Sequence, residues 1–310
     1  MSEWPESPAQ VRALPLRGRT EYLLRRFDLQ PRKSLGQSFL INEGAARQIA
    51  QTAAEPGRPL VEVGGGLAAL TVPLAESGLP LVVVEIDRGA AEALAWLMGD
   101  LDHVRVVRED FLKVGWEELA EPHPLPPLLA GEGGEREQPL TAVGNLPYGS
   151  AGAILQKLWA PGSPCGLIVT MVQREVAERL RATPGIKAWG PLSVLAALHT
   201  EERRVVAKLG PESFLPAPKV ESTVLALQRR DLPEELRDYG AMQAAIRGAF
   251  GTRRKNLSNS LRISLRLEAE TVAAVLRATR LDGSRRGETL IVDELIVLAN
   301  ALDGTCYEYR

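Results

Sequence analysis

The sequence predicts an α/β protein: a doubly wound sheet with an antiparallel hairpin at one edge, followed by a small helical domain. Short apolar runs alternate with amphipathic segments as far as about Arg181, and two later β-branched runs flank a Pro-rich stretch. Beyond about Arg230, Leu, Ala and Arg recur at helical spacing, with little strand signal until Leu290. A chain of 310 residues, 45% hydrophobic and 25% charged, can bury one large core and a smaller second one.

The elements follow in order. Pro59 to Val63 reads as a first strand, Leu67 to Ser77 as a helix, Leu81 to Glu85 as a strand, Arg88 to Met98 as a helix and Val104 to Val107 as a third strand. Residues 121–139, Pro-rich and then Gly/Glu-rich, cannot bury a hydrophobic face and are expected to form a flexible surface insertion. A fourth strand at Leu140 to Val143 precedes a helix near Ala151 to Trp159, a strong strand at Gly166 to Val172 and a helix at Gln173 to Arg181. Arg203 to Leu209 and Ser222 to Leu227, joined through Pro211 to Pro218, make the edge hairpin. The expected organisation is a basic extension over residues 1–32, a sheet domain over 33–230 and a helical domain over 231–310.

Composition excludes several classes. The first residues, Met1-Ser2-Glu3-Trp4-Pro5, lack a basic apolar leader, and no run of about 18 uncharged apolar residues is present, so a cytoplasmic protein is expected. Two cysteines, Cys165 and Cys306, build no disulfide framework, and three scattered histidines lack ligand spacing, so no metal is expected. No coiled-coil pattern suggests an obligate partner, and a monomer is expected. The net charge of −2 hides an asymmetry: Arg12 to Lys33 carries seven Lys/Arg against two acids, and Arg247 to Arg286 ten against three. Two basic regions around a neutral core suit phosphate binding, although solvated helix faces give the same pattern.

Four motifs carry the chemistry. Asn145-Leu146-Pro147-Tyr148 follows the fourth strand, where open α/β sheets present ligands; an amide, a backbone carbonyl and an aromatic ring can hold a planar amino-substituted base, while an Asn-x-Pro turn would use the same residues. Gly64-Gly65-Gly66-Leu67-Ala68-Ala69 lies between the first strand and its helix, a G-x-G-x-x-A string that fits an adenosine-type cofactor or a tight structural turn. Glu85 ends the second strand, placed to accept from both ribose hydroxyls. Asp110 follows the third, placed to accept from the amine of an adenine. One acid after a strand is commonly a cap; four such groups at successive strand ends are not.

These residues, with others in the same order, resemble the S-adenosylmethionine-dependent ribosomal RNA adenine dimethyltransferases of the kasugamycin-resistance type, which act on small-subunit rRNA. The resemblance rests on Lys33-Ser34-Leu35-Gly36-Gln37-Ser38-Phe39-Leu40, Glu62 to Thr71, Val84-Glu85-Ile86-Asp87, Asp110, Asn145 to Tyr148, Val172 to Arg179, Phe214 to Ser222 and Phe250 to Leu257. It implies a Rossmann-like methyltransferase sheet over 33–230 and a helical RNA-binding domain over 231–310. It also implies S-adenosyl-L-methionine held by Ser38, Leu40, Gly64, Gly66, Glu85, Asp110 and Asn145, and dimethylation of two adjacent adenines in the 3′-terminal hairpin during ribosome biogenesis. Three departures stand out: Ser38 replaces the usual Asn or His, Gly64-Gly65-Gly66 replaces Gly-Pro-Gly and is expected to be floppier, and Gly149 to Gly152 replace a polar segment.

Adenine N6 is a poor nucleophile because its lone pair is delocalised into the ring. Asn145 Oδ1 and the carbonyl of Leu146 or Pro147 are expected to accept its two N–H groups and favour a tetrahedral nitrogen. Tyr148 is expected to stack on the flipped base, with Phe214 over its other face. Arg253, Arg254 and Lys255, with the stretch up to Lys33, are expected to meet RNA phosphates. The competing readings are a large-subunit rRNA adenine methyltransferase of macrolide-resistance type, a non-catalytic RNA-binding assembly factor, and a nicotinamide dehydrogenase. The last lacks an evident hydride-site His or Lys.

Overall fold

The computed structural model describes residues 5–32, 37–54, 58–120, 139–147, 149–252 and 254–304. The insertion expected at 121–139 therefore lies outside the described residues except for Pro139, as do Tyr148, Arg253 and Cys306. The chain divides into two compact units: Met1–Ala177 with Glu202–Arg229, and Glu178–Glu201 with Arg230–Arg310.

The strands are β1 (Phe39–Leu40), β2 (Leu60–Val63), β3 (Leu81–Val84), β4 (Val104–Val107), β5 (Leu140–Asn145), β6 (Cys165–Gln173), β7 (Thr200–Leu209), β8 (Phe214–Leu215) and β9 (Ser222–Arg229). Seven of them form one sheet in the order β4-β3-β2-β5-β6-β9-β7. From β4 to β6 all pairs are parallel, and β9 runs antiparallel to β6. Helices cover both faces of a parallel sheet, so its central strands are mostly apolar, and every residue of β2 and β3 is buried, Glu62 of β2 included. The chain winds outward from β2 to β4 and then returns to place β5 on the other side of β2. The carboxyl ends of β2 and β5 thus flank the topological switch point, where a crevice for ligand opens.

Two features differ from the sequence reading. The helix expected from Leu67 starts only at Thr71 and ends at Ala75, because Gly66 and Ala68 take left-handed backbone angles (φ 51° and 63°) that spend residues 66–70 in turns. The Pro-rich connection also contains a strand: β8 pairs antiparallel with β1, Leu40 opposite Phe214 and Phe39 opposite Leu215.

The N-terminal segment is not a free arm. Its helices, Pro8–Arg12 and Leu16–Arg26, bury Val11, Leu16, Tyr22 and Leu23 in the core shared with the sheet helices. Each fully buried leucine contributes about 1.5–3 kcal/mol relative to exposure. Two of its arginines turn inward and a third lies on a ring: Arg12 pairs with Asp100, Arg19 is buried with Nη1 donating to Arg12 O at 3.0 Å, and the exposed Arg26 lies 4.3 Å over the Trp96 ring. A segment with that many apolar positions at helical spacing docks rather than waves.

In the second unit, the helix Pro191–His199 joins the C-terminal helices Tyr239–Phe250, Leu257–Leu265, Ala269–Thr279 and Val292–Leu302. Asp238 and Asn256 cap two of them, accepting from Ala241 N and Asn259 N. Residues 178–201 belong here because Trp189 Nε1 donates to Leu290 O at 3.1 Å and His199 Nε2 lies 3.0 Å from the Tyr239 hydroxyl. Among the described residues, no helix is long and apolar enough to cross a membrane and no group of His, Cys, Asp or Glu is placed to hold a metal ion. Cys165 is buried, and burial pushes its thiol up to about 12.

Candidate active site

The chain leaves β2 through Gly64, whose φ of 79° only glycine adopts without strain, and whose N–H donates to Val84 O at 2.8 Å. Two residues on, Gly66 N donates to Glu85 Oε2 at 2.8 Å, and Asp87 N donates to Glu85 Oε1 at 2.7 Å. The carboxylate just after β3 is therefore held by backbone N–H groups on both oxygens. Each oxygen keeps further acceptor capacity, the arrangement two vicinal hydroxyls require. Burial raises the Glu85 pKa, and the N–H groups of Asp87 and Gly66 oppose that rise.

Gly65 stands where a stiffer residue was expected, yet the loop is tied down. Ala68 N donates to Gly65 O at 2.9 Å, and a Cβ on Gly65 would meet the Val83 and Leu94 side chains. Neighbouring branched side chains occupy the space a larger residue would take. Packing and backbone hydrogen bonds supply the definition that the missing side chain does not.

Across the switch point, Asn145 ends β5. Its Nδ2 donates to Ser38 O at 3.2 Å, an assignment fixed by chemistry because only the amide nitrogen can donate to a carbonyl. Oδ1 is thereby turned away from Ser38 and left as an acceptor. Leu146 N continues the sheet ladder by donating to Met171 O at 3.1 Å, and its side chain is buried. Pro147 O is already taken by Ser150 N and Ala151 N, which open the helix Ala151–Trp159. Among the described residues, none donates a hydrogen bond to Leu146 O. Of the two carbonyls considered from sequence, it is the one with free capacity.

A pocket at this edge is lined by Gln37, Ser38, Phe39, Gly64, Gly66, Glu85, Ile86, Asn145, Leu146 and Pro147. It thus gathers Ser38, Gly64, Gly66, Glu85, Asn145, Leu146 and Pro147 from the expected set. Ser38 contributes differently from expectation, since its hydroxyl donates to Pro216 O at 2.7 Å while its carbonyl orients Asn145. Leu40 is 1% exposed and its side chain belongs to the core behind the pocket. Asp110 lies beyond the pocket at the end of β4, its Oδ1 accepting from Leu112 N at 2.9 Å. Phe214 is a correction: β8 pairs with β1, which turns its ring into the core at 3% exposure, so no ring face is open to a base. Tyr148 lies outside the described residues.

Sequence reasoning passed over Ile86. It is 55% exposed on the pocket wall directly after Glu85, an apolar surface beside a ribose-type acceptor. A branched apolar residue after the acid that closes a buried strand is a readable signal.

The family model for ribosomal RNA adenine dimethylase matches residues 29–297. The chain belongs to the ribosomal RNA adenine dimethylase family. Two curated relatives, both named ribosomal RNA small subunit methyltransferase A, agree with that placement. The protein of Moorella thermoacetica is 38% identical over 287 residues, 92% of this chain and 97% of the relative. That of Alkaliphilus oremlandii is 34% identical over 287 residues, 92% and 96%. A crystal structure of a dimethyladenosine transferase from Plasmodium falciparum shares the fold, with a TM-score of 0.66 at 20% identity over 86% of this dimethylase-family chain and 97% of that one.

Proposed function

We propose that this chain transfers methyl groups from S-adenosyl-L-methionine to N6 of two adjacent adenosines in the 3′-terminal hairpin of small-subunit rRNA, giving dimethyladenosines during ribosome biogenesis. The single observation that supports this reading of the chemistry is that Asn145 Nδ2 donates to Ser38 O, which leaves Oδ1 to act as an acceptor together with Leu146 O, to which no described residue donates. The substrate rests on the family and on relatives 34% and 38% identical that are named for the small subunit.

The pocket fits such a cofactor. Gly64 and Gly66 present backbone without side chains, Glu85 offers two clamped oxygens to a ribose, and exposed Ile86 offers an apolar face to an adenine. No described residue donates to Asp110 Oδ2, which can accept from the adenine amine. When bound, the cofactor supplies an already activated methyl group on a sulfonium, so the protein needs no acid to activate a leaving group.

The chain's own residues work on the nucleophile. Asn145 Oδ1 and Leu146 O accept the two N6–H bonds, which draws the nitrogen from planar toward tetrahedral and localises its lone pair. No strong base is required, because the N–H becomes acidic only as the new bond forms. Tyr148 stacks on the extruded base. Arg253, Arg254 and Lys255 meet RNA phosphates in the second unit, and the protein acts as a monomer in the cytoplasm.

Incubating the protein and labelled S-adenosylmethionine with unmodified small subunits, and mapping the label, tests the proposal. Two adjacent dimethylated adenosines in the 3′-terminal hairpin are expected. Label confined to large-subunit RNA would overturn the substrate. Tight subunit binding with no transfer would make the chain an assembly factor.

A further inference from the structure

Lys157 occupies the last turn of the helix Ala151–Trp159, the helix opened by the Pro147 carbonyl. Its ammonium donates to both Phe111 O and Val114 O, in the loop that Asp110 begins. The same ammonium lies 4.7 Å from the centre of the Phe111 ring and 5.9 Å from that of Trp116, and those rings pack edge to face at 5.8 Å. A lysine that merely solubilised a helix would leave its ammonium in water; this one gives up hydration for two carbonyls and two ring faces. Burial lowers its pKa, while the carboxylates of Asp110 and Glu118 favour its charged form.

The loop it grips is a tight turn. Lys113 N and Val114 N both donate to Asp110 O, at 2.8 and 3.2 Å, and Asp110 Oδ1 is used by Leu112 N at 2.9 Å. The direction of the remaining oxygen, Oδ2, is therefore set by the turn as a whole, and the turn's two later carbonyls, Phe111 O and Val114 O, are held from outside by Lys157. The helix carrying Lys157 grows from the motif that orients the target amine, so one rigid rod links the nucleophile-orienting end of the site to the cofactor-recognising loop.

We infer that Lys157 is a positioning residue for cofactor recognition: by tying the Asp110–Val114 turn to the helix after the Asn145 motif, it aims Asp110 Oδ2 at the 6-amino group of the cofactor's adenine. The inference rests on the reading of Asp110 given above. It accounts for a half-buried cation that the methyl-transfer chemistry does not use.

The test is calorimetric and needs no turnover. Binding of S-adenosyl-L-homocysteine is compared with that of its analogue in which hydrogen replaces the purine 6-amino group, using the full chain and its variants. The unsubstituted protein should prefer the amino compound about tenfold, the lower end of what a hydrogen bond to a charged group contributes. Lys157→Met should bind the amino compound about tenfold more weakly, bind the analogue as before, and so lose the preference. General damage to the fold would weaken both ligands alike and leave the ratio standing. Should the methionine variant fail to fold, Lys157→Gln, which can donate to one carbonyl, should show an intermediate ratio. Asp110→Ala separates the two ideas. If it abolishes the preference while the Lys157 variants keep it in full, the inference about Lys157 is overturned and the reading of Asp110 stands. If the unsubstituted protein shows no preference, the reading of Asp110 falls and the inference with it.

Discussion

Asn145 can be dissected by what each replacement keeps. Alanine removes both the acceptor and the tie to Ser38, and loss of a preorganised group of this kind costs roughly 10²- to 10³-fold in rate. Aspartate keeps an oxygen where Oδ1 stands but replaces the Nδ2 donor with a second oxygen facing Ser38 O, now 3.2 Å from the amide nitrogen. Repulsion there swings the side chain away, so Asn145→Asp is also expected to lose at least about tenfold in single-turnover rate. A variant as fast as the parent would show that amide orientation does not matter. Glu62, fully buried in β2, poses a different question at the same scale. Burial lifts its pKa to about 8, with the Thr71 hydroxyl opposing and the Glu85 charge adding. The folded protein therefore holds a proton that the unfolded chain has released once pH exceeds the ordinary value of 4.5, and stability falls as pH rises from there to about 8. Glu62→Gln removes that titration. Its thermal midpoint should vary less between pH 5 and about 8 than that of the parent, and an equally steep decline in both proteins would place the proton elsewhere.

Elements differ in how plainly their residues announce them. The central strands were legible because Leu60–Val63 and Leu81–Val84 are short β-rich runs bounded by turn residues, and the strand ends then placed Gly64, Glu85 and Asn145 on one edge. The β1 and β8 pair was not, since two residues carry no periodicity and Leu40 meets Phe214 only through the tertiary fold. That pairing brings Ser38 to Pro216 and Asn145, and it also removes Phe214 from the pocket. The delayed start of the helix at Thr71 was hidden for a similar reason, because nothing local marks Ala68 for a φ of 63°. Helix ends carry the same hidden cost. Arg280 closes the helix Ala269–Thr279 in the left-handed region, φ 57°, with its side chain exposed. An L-residue there costs about 1–2 kcal/mol, partly offset in glycine by the greater freedom of the unfolded chain. Arg280→Gly should stabilise by about 0.5–1 kcal/mol, read as a rise of a few degrees in the melting of the helical unit. An unchanged or lower midpoint would mean that the arginine side chain contributes more than the strain it imposes.

At the scale of the whole molecule, a net charge of −2 does not disqualify an RNA-binding protein, because the basic residues are concentrated. The ten Lys/Arg between Arg247 and Arg286 are not equivalent in the fold. Arg285 is held by Glu294 through both terminal guanidinium nitrogens, with a further bond to Thr289 O at 2.8 Å, so it braces the start of the last helix. Arg254 and Lys255, by contrast, are exposed just before the helix Leu257–Leu265. Phosphate contacts release counterions, and each one contributes roughly 0.7–0.9 to the slope of log affinity against log salt concentration. Arg254→Ala and Lys255→Ala should each flatten that slope for rRNA by about this amount while leaving the calorimetric affinity for S-adenosyl-L-homocysteine unchanged. Arg285→Ala should do the opposite, lowering the melting temperature with little effect on the slope, because its charge is already spent inside the protein. A slope that responds to Arg285 and not to Arg254 or Lys255 would move the phosphate-binding surface elsewhere on the unit and leave the methyl-transfer site as described.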